Sequence, residues 1–192
     1  MVIHHGDARC ASHTGPACKV YLLHSPAVDK IPSILKQGLN ERFAGSSAGS
    51  LFGAGLYFAE NGGKTDQYAT RLAGDPSSLQ ALLQLPQNGA SQHDDLFYVL
   101  LCRVLLGKFE TTRRSDDADL FATRHKRELR SIPGSVPPQP FHSLVARVCN
   151  HGVSVTGGCP RGCALRPDRF CEFVGFHDCR AYPEYLVAYR RQ

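Results

Sequence analysis

Residues 51 to 68 of this 192-residue chain combine two glycines, two tyrosines and a threonine in a pattern that suits a flat ligand. Gly53 and Gly55 interrupt an apolar run, and glycine in a strand often marks a place where another group approaches the backbone closely. Tyr57 and Tyr68 offer two ring faces and two hydroxyls, and the Thr65 hydroxyl lies between them in the sequence. Aromatic rings stack on flat aromatic ligands. The segment therefore predicts a surface that binds a flat aromatic ligand, although glycine turns with aromatic neighbours also occur in ordinary cores.

Two further polar residues lie in short apolar segments that are typical of strands. His24 follows the strand candidate Lys19–Leu23, and Glu172 interrupts the run Phe-Cys-Glu-Phe-Val-Gly-Phe. A histidine at a strand end is most often a surface or satisfied core residue. A glutamate in such a run either faces solvent or is a partly buried carboxylate with a functional role, because burying a charge is costly. The residues alone leave both interpretations open.

The composition is that of an ordinary globular protein, with 42% hydrophobic and 20% charged residues. The length suits one domain with a sizeable core. No apolar run is long enough to cross a bilayer, and the first residues lack the apolar core of a signal peptide. We therefore expect an intracellular protein, nuclear or cytoplasmic, without a membrane partner. A net charge of +5 indicates mild basicity, spread over the surface or favouring anionic partners such as nucleotides.

Eight cysteines are a high count for this length, and five of them fall between positions 149 and 179. Without a secretion signal, a disulfide framework is not expected. Cys159 and Cys163 stand at the spacing of a zinc knuckle, but no second pair mirrors them. The sequence favours reduced cysteines and no metal, with a zinc-stabilised interaction domain as the alternative.

The pattern of apolar residues predicts an α+β domain in which helices precede most strands. Ser25 and Pro26 predict the start of a helix that Gly38 ends. A second short helix is predicted from Lys64 to Leu72, and residues 111 to 140 are predicted to form a long loop with a weak helix. Residues 1 to 17 are expected to be irregular, and residues 18 to 192 to form the domain. Strands are predicted near 97–106, 142–148, 170–176 and 184–190.

Several motifs, in a constant order from about residue 20 to 190, resemble the catalytic domain of the poly(ADP-ribose) polymerases, with the tankyrase-like branch nearest. The motifs are Leu-Leu-His-Ser-Pro at 22–26, Ile-Leu-Lys-Gln-Gly-Leu-Asn-Glu-Arg at 34–42, Leu-Phe-Gly-Ala-Gly-Leu-Tyr-Phe-Ala-Glu at 51–60, Leu-Leu-Cys-Arg-Val-Leu-Leu-Gly-Lys at 100–108, Phe-His-Ser-Leu-Val at 141–145 and Tyr-Pro-Glu-Tyr-Leu at 182–186. The resemblance implies an ADP-ribosyltransferase fold, with mainly antiparallel split β-sheets flanked by short helices.

The same resemblance implies that His24, Tyr57 and Glu172 form the His-Tyr-Glu catalytic triad of that family. The family's catalytic glutamate lies on the strand before the terminal one, which selects Glu172 rather than Glu184. In relatives the histidine binds the adenosine ribose, and the glutamate holds the nicotinamide ribose and polarises the acceptor hydroxyl. Tyr68 matches the ring that stacks on nicotinamide, and Thr65 the hydroxyl that bonds its carboxamide. The residues assigned to NAD+ binding are His24, Ser25, Arg42, Gly53, Gly55, Tyr57, Thr65 and Tyr68.

The implied activity is transfer of ADP-ribose from NAD+, used as a substrate, to protein acceptors, with poly(ADP-ribose) elongation chemically possible because the triad is intact. Ser25 stands where the family usually has glycine, and no first strand is recognisable in residues 1 to 17. These departures favour an alternative, a degenerate fold that binds NAD+, ADP-ribose or a protein without turnover. The tankyrase zinc ligands have no counterpart in residues 69 to 96, so no metal is expected. The regulatory helical domain of DNA-dependent members is not matched, so nucleic acid is not expected to be required.

Overall fold

Seven strands and two short helices build the part of the chain described by the computed structural model, which covers residues 19–44, 50–70, 79, 83, 96–114, 117–147 and 171–191. The strands are β1 (Lys19–His24), β2 (Leu56–Ala59), β3 (Phe97–Leu105), β4 (Phe109–Thr112), β5 (Ser143–Ala146), β6 (Glu172–Gly175) and β7 (Ala181–Tyr189). The helices are α1 (Ile31–Gln37) and α2 (Gly62–Asp66). Short 3₁₀ turns span Val28–Lys30, Glu41–Phe43, Ala118–Leu120 and Asp178–Arg180. The predicted irregular segment 1–17 lies outside the described residues.

The strands form one sheet in the order β4-β5-β6-β2-β1-β3-β7. Within the described residues, β4 and β5 run parallel and all other neighbours are antiparallel. The two halves of the sheet meet at one registered pair, Leu23 on β1 with Ala59 on β2. The split that we expected is therefore a narrow junction within a continuous sheet. The α+β class predicted from the sequence is confirmed.

Apolar side chains fill the core on both halves of the sheet. One cluster joins Leu22 and Leu100 to Phe58 and Phe173, with Ile34 of α1 packed against it. A second cluster lies beneath the segment between β4 and β5, and it contains Phe52, Leu120, Leu129, Leu144, Ala146, Val174 and Phe176. Burying each large apolar side chain contributes roughly 1.5–3 kcal/mol. The sheet is thus a rigid base for the loops that follow β1 and β2.

Helix α1 begins later than Ser25 and Pro26 predicted. Ala27 stays extended, a 3₁₀ turn follows, and the helix starts at Ile31 with Lys30 before it. Pro32 lies in the first turn, where its missing N–H leaves no intrahelical bond unmade. Gly38 ends the helix at a φ of 84°, as predicted, and its N–H bonds the Ile34 carbonyl. Ser25 therefore lies in the extended segment that leaves β1 and does not cap a helix.

Helix α2 also differs from its predicted span of 64–72. It starts at Gly62 because the Asn61 side chain accepts the Gly63 N–H at 2.8 Å, an N-cap that the prediction missed. It ends at Asp66, and residues 71 and 72 lie outside the described residues. The other predicted strands are present as β3, β5, β6 and β7, whereas β4 within 109–112 was missed. No helix among the described residues is both long enough and apolar enough to cross a membrane.

Candidate active site

His24 is the last residue of β1 and bonds the backbone of the neighbouring strand. Its Nδ1 lies 2.8 Å from the Tyr57 carbonyl oxygen. A carbonyl only accepts hydrogen bonds, so Nδ1 carries the proton and Nε2 keeps its lone pair. Burial lowers the pKa of His24, and the bond to Tyr57 opposes this only in part. His24 is therefore a neutral imidazole at neutral pH, with Nε2 as an acceptor, and its ring lies 5.4 Å from that of Phe58.

Tyr57 uses its hydroxyl to hold the glycine turn that precedes β2. The hydroxyl donates to the Gly53 carbonyl at 2.8 Å and accepts the Phe52 N–H at 2.9 Å. Burial raises the pKa of Tyr57, and the charges of Glu172 and Tyr68 raise it further against the bond from Phe52. The phenol therefore stays protonated, and the side chain packs against the second core cluster.

Gly53 and Gly55 both stand where a Cβ does not fit. Gly53 has a φ of 95°, and a Cβ there would lie 2.7 Å from the Phe121 ring and 2.8 Å from the Lys126 carbonyl. At Gly55 a Cβ would lie 2.6 Å from the Val174 side chain. The two glycines thus permit close contact of the turn with the segment between β4 and β5, and of β2 with β6.

Glu172 opens β6, beside Ala59 of β2. Its Oε1 lies 3.1 Å from Lys64 Nζ, and Lys64 Nζ also donates to the Tyr68 hydroxyl at 3.2 Å. The Lys64 and Glu172 side chains are only 16% and 14% exposed. Burial works against the charge of Lys64, but Glu172 and Tyr68 outweigh it and raise the Lys64 pKa. The Lys64 ammonium group thus contacts both the Glu172 carboxylate and the Tyr68 hydroxyl.

Lys64 is a site residue that the sequence analysis missed. It stands four positions before Tyr68, which lies in the turn that follows α2, and Nζ lies 5.1 Å from the ring centroid. That spacing was visible in the sequence. Its second partner, Glu172, became apparent only when α2 and β6 were placed together.

Three further predicted binding residues are neighbours of Lys64 and His24 in the chain. Thr65 is buried, and its hydroxyl donates to the Gly62 carbonyl, which leaves its lone pairs to accept. Tyr68 is 51% exposed, so its ring is open to a ligand. The Ser25 hydroxyl is buried and has no hydrogen-bond partner within the described ranges. A buried hydroxyl usually has a partner, so an unpartnered one next to His24 is consistent with a ligand-facing position.

Arg42 is not joined to this group by any contact among the described residues. It lies exposed in the 3₁₀ turn Glu41–Phe43, where its N–H bonds the Asn40 side chain at 2.9 Å. Glu184, the other glutamate considered, also lies elsewhere. Its carboxylate is 3.3 Å from Arg103 Nε and 3.4 Å from the Tyr21 hydroxyl.

The last strand anchors helix α2. Asp66 accepts the Tyr189 hydroxyl at 2.6 Å and Arg191 Nε at 2.9 Å. The bond from Tyr189 and the pairing with Arg191 lower the pKa of Asp66 against a smaller effect of burial. This contact holds the helix that carries Lys64 and Thr65.

The cysteines within the described ranges do not assemble a metal site. Cys102 is buried, and burial raises its pKa to about 12; Cys171 is half-buried with a pKa raised, mainly by burial, to about 11; Cys179 is exposed. No group of three or more potential ligands from His, Cys, Asp and Glu occurs in this part of the chain. Cys149, Cys159 and Cys163, on which the zinc alternative depends, lie outside it, as do Cys10 and Cys18.

Comparison with models of protein families shows to which family the chain belongs. Residues 7–191 match the family model of the poly(ADP-ribose) polymerase catalytic domain, and the chain belongs to that family. The fold is therefore the ADP-ribosyltransferase fold. The family uses NAD+ as its substrate, and its activity in general is NAD+-dependent transfer of ADP-ribose.

Proposed function

We propose that this member of the poly(ADP-ribose) polymerase family is a catalytically competent ADP-ribosyltransferase with His24, Tyr57 and Glu172 as its triad. The observation that carries the proposal is the meeting of three strands. His24 at the end of β1 bonds Tyr57 of β2, and β2 pairs with β6, which begins at Glu172. These contacts, and the effect of the Glu172 charge on the pKa of Tyr57, support a shared site for residues that are distant in sequence.

In this proposal NAD+ lies along one surface formed by residues of β1, β2 and α2, which we call the NAD+ wall. Nicotinamide stacks between the rings of Tyr57 and Tyr68, and aromatic stacking of this kind contributes roughly 0.5–1.5 kcal/mol. Thr65 and the otherwise unpartnered hydroxyl of Ser25 bond the carboxamide. His24 Nε2 accepts a hydroxyl of the adenosine ribose. Arg42 remains a proposed contact through its charge, and Gly53 and Gly55 contribute by allowing the close packing that positions Tyr57.

Glu172 is the residue we assign to the chemical step. The bond between the ribose C1′ and the nicotinamide nitrogen breaks, and its electron pair leaves with nicotinamide, which becomes neutral. A carboxylate stabilises the positive charge that develops on the ribose. The acceptor nucleophile forms the new bond to C1′, and its proton passes to Glu172 and then to solvent. Because Lys64 engages Oε1, Oε2 remains to accept that proton.

The finer activity that we propose is elongation to poly(ADP-ribose). A carboxylate that polarises a protein acceptor can also polarise a ribose hydroxyl of an ADP-ribose already attached. The triad supports this, as do the motifs that resemble the tankyrase-like branch. We infer that protein acceptors are modified first and the chain is then extended.

Incubation with labelled NAD+ followed by a denaturing gel tests the proposal. We expect label on the protein, with a ladder of slower bands if chains are extended. Glu172→Gln should lower labelling at least about a hundredfold, since general acid–base catalysis alone contributes roughly 10²–10⁴-fold. Glu110→Gln is the matched control, because Glu110 is also a partly buried strand glutamate paired with a cation, Arg130. Equal labelling by Glu172→Gln and the unchanged protein would contradict the assignment.

The alternative is a fold that binds NAD+ without turnover, and the Cβ of Ser25 at a position usually held by glycine is the observation that favours it. Binding without chemistry would raise the melting temperature in the presence of a nicotinamide mimic. If this stabilisation occurs while labelling is absent in the unchanged protein, the alternative is supported and the transferase proposal fails.

A further inference from the structure

A cavity of about 360 Å³ lies away from the candidate active site. It is lined by Lys19, Arg103, Leu105, Cys179, Arg180, Ala181 and Tyr182. Lys19 and His24 are the first and last residues of β1, so the cavity and the catalytic histidine are about 16 Å apart along the strand, at roughly 3.3 Å per residue. The cavity is therefore separate from the NAD+ wall.

The cavity carries an excess of positive charge. Lys19, Arg103 and Arg180 supply three positive charges, and Glu184, which pairs with Arg103 at 3.3 Å, supplies one negative charge. The balance is +2. Lys19 and Arg180 make no ion pair within the described residues. Cations left without counterions beside a concave surface attract anions.

The surroundings of Arg180 add to this positive field. His142 has a lowered pKa, caused first by burial and then by the nearby charges of Arg180, His177 and Lys108. These groups come from the turn after β3, the start of β5 and the connection from β6 to β7. Arg180 and Lys108 thus bring positive charge near His142 from two elements, while the Glu41 carboxylate accepts the Asp178 N–H in the turn that carries Arg180.

An exposed aromatic ring completes the cavity. Tyr182 is 60% exposed, and the Arg103 guanidinium lies 5.5 Å from its ring centroid. An exposed ring beside unpaired cations suits a ligand that joins a flat base to phosphates, because stacking on an aromatic ring contributes roughly 1–3 kcal/mol per base. A bare phosphate would leave the ring unused, and an apolar ligand would leave the cations unpaired.

We propose that this cavity binds the ADP part of an ADP-ribosyl group, with the pyrophosphate on Lys19, Arg103 and Arg180 and the adenine on Tyr182. A pyrophosphate diester carries two negative charges, which the three cations that line the cavity can pair. Its volume lies in the range of sites for small ligands. The inference deepens the proposed function, because the ADP-ribosyl group is the product of that reaction. A product unit held here keeps a modified acceptor or growing chain on the enzyme.

Alkylation of Cys179 by iodoacetamide, followed by tandem mass spectrometry, reports occupancy of this cavity without any turnover. Cys179 is exposed and lines the cavity, whereas Cys171 precedes Glu172 at the other end of β6 and reports the candidate active site. We expect saturating ADP-ribose to slow alkylation of Cys179 about fivefold or more. The same protection is expected in Glu172→Gln, so failure of the transferase proposal and failure of this one are distinguishable.

Variants of the cavity test its contacts. Lys19→Gln and Arg180→Gln should each raise the concentration for half protection about tenfold, as expected for a lost charge-assisted bond. Arg124→Gln, which removes an exposed arginine outside the cavity, should leave it unchanged. Tyr182→Ala should weaken protection by ADP-ribose but not the weaker protection by inorganic pyrophosphate.

Several results would overturn the proposal. These are no protection of Cys179 at millimolar ADP-ribose, protection of Cys171 alone, or equal protection by pyrophosphate and ADP-ribose. Protection by a short RNA at far lower concentrations would identify a nucleic-acid surface instead.

Discussion

The hydrogen bond of His24 fixes both its tautomer and its charge. Nδ1 donates to the Tyr57 carbonyl, so only Nε2 can meet a substrate, and it meets it as an acceptor. Because burial lowers the pKa of His24, protonation of Nε2 in the folded protein requires a pH below the ordinary value of 6.5. The binding of NAD+ to Nε2 that we propose would thus tolerate mild acid.

The first prediction concerns the pH dependence of NAD+ binding. We expect the KM for NAD+ to be flat from pH 8 to 6.5 and to rise at lower pH, as His24 gains a proton and Nε2 ceases to accept. In His24→Gln, which stays neutral, this rise should be absent. His125→Gln, at an exposed histidine, is the control and should keep it. A KM that rises equally in all three proteins would exclude His24 as the titrating group.

The same shift affects stability. The unfolded chain takes up a proton on His24 near pH 6.5, before the folded protein does. The free energy of unfolding therefore falls as the pH drops below 6.5, until the lower folded-state pKa is passed. Urea unfolding should show that the difference in free energy of unfolding between the unchanged protein and His24→Gln is constant above pH 6.5 and changes only in this acidic range.

The glycine turn before β2 is the element that positions Tyr57. The Gly53 carbonyl accepts the Tyr57 hydroxyl, and the Ala54 N–H bonds the Lys126 carbonyl at 2.8 Å. The turn is thus fixed from inside by the tyrosine and from outside by the segment between β4 and β5. A change in the backbone at Gly53 shifts the tyrosine ring.

The second prediction compares two glycines of positive φ. Gly134 has a φ of 76° and open space around a Cβ, so Gly134→Ala should cost about 1 kcal/mol, from backbone conformation alone. Gly53→Ala adds contacts with Phe121 and the Lys126 carbonyl, and overpacking of this kind costs roughly 1–3 kcal/mol more. Chemical denaturation measures both costs. Labelling by NAD+ should fall only in Gly53→Ala, and equal effects of the two variants would contradict this role of the turn.

Sequence patterns predicted those elements that local chemistry determines. The apolar run 97–106 predicted β3, and Gly38 predicted the end of α1, because alternation and a left-handed glycine are local properties. The start of α1 was predicted wrongly, since Ser25 stays with β1 and not with the helix. The contact of Lys64 with Glu172 was not predicted, because it arises only when α2 packs beside β6.

At the scale of the molecule, residues at the end of the last strand hold helix α2 in place. β7 pairs with β3 at one edge of the sheet, and Tyr189 and Arg191 reach from there to Asp66 at the end of α2. Arg191 also bonds the Asp66 carbonyl at 2.7 Å. Residues more than a hundred positions apart thus hold the helix that supplies Lys64 and Thr65. The position of α2 therefore depends on these contacts with the end of β7.

The third prediction is that Asp66→Asn weakens this anchor and loosens α2. We expect a nicotinamide mimic to bind several-fold more weakly, measured by calorimetry, because Thr65 and Tyr68 are held less firmly. The pKa of Asp66 is lowered in the fold, so its stabilising effect is present above pH 3.8 and is lost as the pH falls through the folded-state value. The difference in free energy of unfolding between the two proteins should therefore persist at neutral pH and vanish in acid.

Asp29→Asn is the control for this prediction. Asp29 also pairs with a cation, Lys30, but the two are sequence neighbours with side chains 64% and 67% exposed. Such a pair contributes little to stability, and it joins no separate elements. If Asp66→Asn and Asp29→Asn bind the mimic equally well, the C-terminal strand does not position the site. If only Asp66→Asn binds the mimic weakly, the contacts of Tyr189 and Arg191 with Asp66 determine the geometry of the NAD+ wall.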